Sequence, residues 1–374
     1  MRLSDHIDAM RGAKEDIGGI FTKTADALRD AERFELTDDV ARASYNLTRL
    51  KPSSLLSAMP LCRAPYRKIW MEWRGGITSD MIPQANKRDP ILAPNPIKQG
   101  CLIETDETGQ CGTMLFAWVH KERPEANFSP VNISPLGSLF NWSEGGNVYN
   151  DAVVELRRRY PTEKELATPA GVIDTMLTMR YAHELTDERA KAWMEKSPFH
   201  DWHRFAGNVS ERKALQALGR HHMPFVVPQC LGFLDWCAKA ALSSGDLLDS
   251  FLKNIVTDSW EKDIEGEPPM AETIIAMMNS RNQPIEHRAV DLAGLNKARA
   301  KRGRALFLPY RTTHLRLSQA QGRAFRAGLL SREDAGLHSV RGHFKVRKTG
   351  IYWWSPFYRG DPTRPLHRQE YEVH

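Results

Sequence analysis

What this sequence lacks narrows it first. Its 374 residues include only five cysteines, Cys62, Cys101, Cys111, Cys230 and Cys237. The number is odd and no CxxC pair occurs, so neither a disulfide framework nor a thiolate zinc site is indicated. No run approaches the roughly eighteen apolar residues of a membrane-spanning helix. Met1-Arg2-Leu3-Ser4-Asp5-His6 lacks the basic-then-apolar pattern of a signal peptide. A cytoplasmic chain without membrane contact is therefore expected. Gly75-Gly76 and Gly145-Gly146 are isolated pairs with no GK[ST] or GxGxxG context, which leaves no phosphate-cradling loop. No repeat period and no Ser-His-Asp or Cys-His pattern stands out, and no cofactor is expected.

The rest is ordinary for a folded chain. With 41% hydrophobic and 26% charged residues, it is long enough for two or three domains with cores of their own. The pattern predicts an α+β fold in three parts: an α+β domain over 1–150 with an antiparallel sheet, a helical region over 151–285, and a small basic antiparallel β module over 286–374. In the first part, Leu3 to Leu28 reads as amphipathic helix interrupted at Gly18-Gly19, and Asp38 to Leu50 as a helix stopped by Lys51-Pro52. Lys68 to Trp73 reads as a strand, and Gly75 to Lys98 as a polar loop. Cys101 to Thr105 and Thr113 to His120 form a hairpin around Asp106-Glu107-Thr108-Gly109. Phe128 to Phe140, broken by Pro130 and Pro135, suits a sheet edge. The middle part predicts helices over Ala152–Arg159, Thr168–Leu185, Asp187–Lys196, Ser210–His221, Pro228–Leu242, Asp246–Trp260 and Met270–Met278. Glu155, Glu163, Glu165 and Asp174 read as solvated carboxylates. His200-Asp201-Trp202-His203 and His221-His222 have chelating spacing, but without thiolates or a dependable carboxylate partner no metal site is assigned.

Charge is unevenly placed. Glu286 to His374 holds 18 Lys and Arg against 7 Asp and Glu, a net +11, whereas residues 1–285 hold 34 against 39, a net −5. A basic module on a mildly acidic body is the footprint of a nucleic-acid or acidic-partner surface. Leu295 to Arg304 reads as a basic helix or arm carrying Lys297, Arg299, Lys301 and Arg302. Leu306 to Leu317 follows as a strand with Thr312, His314 and Arg316 on one face, then a helix over Gln319–Ala327.

The tail is the centre of the reading. In His338 to Asp361, Val340, Phe344 and Val346 alternate with Arg341, His343 and Lys345. After Arg347-Lys348-Thr349-Gly350 the chain resumes as Ile351-Tyr352-Trp353-Trp354. That is a β-hairpin with a four-residue turn and an aromatic return strand. Its cationic row stands opposite Tyr352 or Trp353, depending on register. Cations beside exposed aromatics can meet a phosphodiester backbone and stack a base. The binding candidates are Arg341, Lys345, Arg347, Lys348, Trp353, Trp354 and Arg359, with His314 and Arg316 if the preceding strand joins the hairpin in one sheet. The same toolkit serves a metal-independent ribonuclease, with His343 or His338 as acid or base and Tyr352 as a stacking or proton-donating group.

The order Arg341-Gly342-His343-Phe344, followed by Trp354-Ser355-Pro356, resembles the tail of a family of phage and mobile-element proteins that includes a type V-A anti-CRISPR protein. That member recognises the nascent N-terminus of its target nuclease and depletes the nuclease's message. The resemblance covers about twenty residues, and Phe344 stands where the anti-CRISPR protein has Trp. It implies an anti-defence regulator in a bacterial host's cytoplasm that lowers expression of a host target, with RNA, a ribosome or a nascent polypeptide as partner. Two other readings stand beside it: a metal-independent ribonuclease with its site on the C-terminal sheet, and a phage DNA-binding or packaging accessory protein.

Overall fold

The computed structural model describes residues 2–75, 97–120, 131–184, 209–244, 267–304, 306–316, 338–340, 342–354 and 357–359. The strands are β1 (Glu32–Leu36), β2 (Lys68–Arg74), β3 (Lys98–Thr105), β4 (Cys111–Val119), β5 (Val131–Ile133), β6 (Leu136–Asn141), β7 (His222–Val226), β8 (Ile285–Ala289), β9 (Arg311–Leu315), β10 (His338–Val340), β11 (His343–Arg347), β12 (Gly350–Trp354) and β13 (Phe357–Arg359). The helices are α1 (Leu3–Ala9), α2 (Ile20–Arg29), α3 (Asp38–Leu50), α4 (Pro52–Ala58), α5 (Val148–Arg159), α6 (Glu163–Leu166), α7 (Pro169–Glu184), α8 (Val209–Gly219), α9 (Leu231–Ser244), α10 (Glu267–Met278) and α11 (Ala293–Lys301). Among the described residues no helix is long and apolar enough to cross a membrane.

The fold is α+β, built on one nine-stranded sheet in the order β7-β6-β4-β3-β2-β1-β9-β8, with β5 added to β4. Local chemistry explains its centre. Asp106 turns β3 into β4 by accepting the Gly109 N–H at 3.0 Å, and Gly109 takes a φ of 71° that other residues rarely adopt. β2 is buried on both faces, so its one carboxylate needs partners. Glu72 finds them in the Ser4 N–H at 3.1 Å, the Trp70 indole N–H at 3.0 Å and Lys98 Nζ at 3.5 Å. Helices α1 and α2 are parted at Gly18-Gly19, both with positive φ. A Cβ on Gly18 would meet the Gly232 backbone at 2.2 Å, so this break is also where α9 packs backbone to backbone against the N-terminal segment.

Three expectations are corrected. The sheet is mixed rather than antiparallel, because β1 runs parallel to both β2 and β9. Every segment contributes to it: β1 to β6 come from 1–150, β7 from the expected helical region, and β8 and β9 from the stretch beginning at Ile285. The strand expected over Leu306–Leu317 exists as β9, but it pairs with β1 and β8 and not with the terminal hairpin. Of the two pieces expected at a sheet edge, β5 pairs only with β4, whereas β6 lies between β4 and β7. Residues 76–96 of the expected loop, the helices over Asp187–Lys196, Asp246–Trp260 and Gln319–Ala327, and His200 to His203 lie outside the described residues.

Asp174 is the fourth correction, since it is fully buried rather than solvated. Its Oδ1 accepts the Val226 N–H at 2.8 Å and its Oδ2 accepts the Tyr160 hydroxyl at 3.0 Å. Arg159 lies 3.5 Å from the same carboxylate and donates to the Val226 carbonyl. Two side chains thus satisfy both backbone groups of Val226 on the sheet's outermost strand, where an open edge would otherwise invite pairing. Burial pushes the Asp174 carboxyl up to about 7 from 3.8, with Arg159 and the two hydrogen bonds opposing. Because the folded value lies above the unfolded one, the neutral acid is the form folding favours. Its contribution is complete below about pH 4 and is lost as pH rises through 7. Urea unfolding is expected to show wild-type stability falling across that window, and Asp174→Asn to flatten the fall. A variant with the wild-type slope would overturn the assignment.

Candidate nucleic-acid interface

β11 and β12 form the hairpin expected from the tail, with a tighter turn. Lys348-Thr349 alone makes the loop, and Arg347 pairs with Gly350, whose φ is 126°. The short loop fixes a register that the alternation left open. His343 pairs with Trp354, Phe344 with Trp353, Lys345 with Tyr352 and Val346 with Ile351. Paired residues share a face of the ribbon. One face therefore carries Phe344, Ile351 and Trp353, all buried in the main core, with the Phe344 and Trp353 rings edge to face at 5.0 Å. Trp353 is only 3% exposed, so its expected role as a surface contact is corrected to that of a core residue.

The opposite face carries the chemistry. Lys345 Nζ lies 3.6 Å from the centre of the Trp354 ring, Arg347 Cζ lies 5.5 Å from that of Tyr352, and the His343 and Trp354 rings are 6.0 Å apart. Trp354 remains 38% exposed. Arg347 and Lys348 are exposed at the tip, where the Tyr352 hydroxyl meets Thr349 Oγ1 at 2.9 Å. This ladder alternates positive charge with aromatic surface.

The hairpin is held by its edges as well as its core. The Asn282 amide donates to the Trp353 carbonyl at 2.6 Å and accepts the Trp353 N–H at 2.9 Å, acting as a one-residue strand. The Arg281 N–H donates to the Ile351 carbonyl at 2.8 Å. On the other edge the Phe344 N–H donates to Ser54 Oγ of α4 at 3.2 Å. Nothing in Arg281-Asn282-Gln283-Pro284 marks Asn282 for this work, because the same residues would suit any turn.

The other expected contacts fall elsewhere. His314 sits opposite Glu286 in the main sheet and meets Thr312 Oγ1 at 3.0 Å. Arg316 bonds Gln283 at 3.3 Å and lies 3.8 Å from Glu286. His338 and Arg359 pair with each other across β10 and β13, a separate two-stranded sheet. Arg341 lies outside the described residues. Lys297, Arg299 and Lys301 are on α11, with Arg302 just beyond its end. Of the three residues expected to carry catalysis, His343 and Tyr352 share the outward face of the hairpin, and His338 is on another sheet.

His221 and His222 do not act together. His221 Nδ1 meets the Asn141 carbonyl at 2.9 Å, while buried His222 meets Ser138 Oγ at 3.3 Å and lies 2.8 Å from Glu272. Among the described residues no group of three or more His, Cys, Asp or Glu is placed to hold a metal ion. Comparison with protein-family models, with curated proteins and with solved structures gives no match in any of the three.

Proposed function

We propose that this chain is a nucleic-acid-binding regulator that holds single-stranded RNA on the outward face of the β11–β12 hairpin. The observation that carries the reading is the division of two adjacent tryptophans, Trp353 sealed in the core and Trp354 presented under Lys345. A hairpin needing only stability has no use for a second, partly exposed tryptophan with a lysine over its ring. A single strand offers unstacked bases and a phosphate for each, which is what the ladder of His343, Lys345, Arg347, Tyr352 and Trp354 matches. The likeness of the tail to the phage and mobile-element family supplies the setting: a host message, or the nascent chain and ribosome attached to it, whose expression falls on binding.

Labelled single-stranded RNA mixed with the protein in EDTA tests this. Wild type is expected to retain the RNA intact, with affinity falling steeply as salt rises because each neutralised phosphate releases counterions. Cleavage that disappears in a folded His343→Ala variant would replace this reading with a ribonuclease. A strong preference for DNA duplex would favour a packaging accessory.

A further inference from the structure

The second basic element, α11, has no buried residue. Asn296 fastens it by exchanging two hydrogen bonds with the Phe307 backbone, at 3.0 and 2.8 Å, and Arg299 lies 4.1 Å over the Phe307 ring. From Ala293 to Arg304 there are five cations and no acid. Among the described residues Lys297, Lys301, Arg302 and Arg304 make no ion pair within 4.0 Å. At roughly 100° per residue, Lys297 and Lys301 share one side of the helix and Arg299 turns to the side of Phe307, while Arg302 and Arg304 follow past the helix end. Ala293 and Ala300 fall on the side opposite Leu295 and Ala298, so the helix lacks the single apolar stripe that a membrane surface requires.

Cations along one exposed side of a helix and the turn that follows it suit a row of backbone phosphates. α11 also has no aromatic residue, so it can attract phosphates but cannot stack free bases. A paired ligand, whose bases are already stacked within the duplex and whose outside is backbone phosphate, therefore complements it better than an unstacked strand. Its position adds the second constraint. α11 follows the end of β8 and precedes β9, whereas the Arg281–Pro284 turn that holds the hairpin stands at the other end of the same two strands. Five strand residues separate the two ends by about 17 Å, the length of roughly five stacked nucleotides.

We propose that the two elements engage one ligand, an RNA in which a paired stem adjoins an unpaired strand: α11 takes the stem and the hairpin takes the strand. This rests on the hairpin reading above. Three RNAs test it: a single strand, a blunt duplex, and that duplex carrying the single strand as an overhang. The overhang RNA is expected to bind at least about tenfold more tightly than either part, since the second contact becomes intramolecular. In the combined variant Lys297→Ala, Lys301→Ala, Arg302→Ala and Arg304→Ala, overhang and duplex binding are expected to fall about tenfold more than single-strand binding. Equal loss on all three RNAs would reduce α11 to general attraction and overturn the proposal. So would an overhang RNA bound no better than the single strand, or α11-dependent retention on anionic vesicles in place of the duplex. If wild type holds the duplex but not the single strand, the hairpin reading fails and the joint-ligand proposal falls with it. If only the single strand is held, the hairpin reading survives alone.

Discussion

Trp353→Ala is expected to cost about 3–5 kcal/mol of folding stability, whereas Trp354→Ala, one residue on, is expected to cost less than about 1 kcal/mol. The difference follows from the hairpin's register. Trp353 fills the core against Phe344 and Ile351, so its loss leaves a cavity that the surrounding strands and α4 close only in part. Trp354 supports Lys345 on the open face and leaves no cavity when removed. Binding is expected to reverse the order. Trp354→Ala should weaken single-stranded RNA by about 1–3 kcal/mol, the usual cost of losing one stacking platform. Thermal unfolding and RNA titration on both variants decide the matter. Equal destabilisation by the two substitutions would show the register to be wrong.

The second large effect concerns salt. Lys345, Arg347 and Lys348 line one side and the tip of the hairpin, away from its buried face. Their joint replacement by alanine is expected to lower RNA affinity on the order of a hundredfold at low salt, and to reduce the slope of log affinity against log salt by about two. The unfolding midpoint is expected to move little, because surface substitutions of this kind stay within about ±0.5 kcal/mol each. Affinity lost with the slope unchanged would mean that these cations touch something other than phosphates.

Much of the interface was legible in the chain because its signals are local. Alternation from Val340 to Val346 and the aromatic run at Tyr352-Trp353-Trp354 mark two strands, and the basic run from Lys297 to Arg304 marks an exposed helix. Which tryptophan faces out was not legible. A four-residue and a two-residue turn at Arg347–Gly350 both set Val346 opposite Ile351, but a three-residue turn would set Phe344 opposite Tyr352 and send Trp353 outward, and the pairing of Arg347 with Gly350 excludes it. The helix over Asp38–Leu50 was found with its bounds intact, since acidic residues open it and Lys51-Pro52 closes it. β1 was missed for the opposite reason. Glu32-Arg33-Phe34-Glu35-Leu36 is short and charged, and it is a strand because distant partners accept it. Arg33 is satisfied by the carbonyls of Leu28 and Pro309 at 2.5 and 2.8 Å, the second of them 276 residues away. Asp174 was misread likewise, because nothing near it in sequence announces the Val226 edge it closes.

The pairing of β1 with β9 also sets an order of events during synthesis. Glu35 leaves the ribosome long before Thr312, its partner in the finished sheet. At about 5–20 residues per second, one side of β1 waits roughly 15–55 s for its neighbour. Ser54 waits longer still for Phe344. Throughout that interval the N-terminal strands expose an unpaired edge, the feature that most readily captures another chain. β9 therefore arrives late and covers the open edge of a sheet begun at Glu32. A nascent chain that stalls before β8 would leave the ribosome without either half of the proposed RNA surface in place.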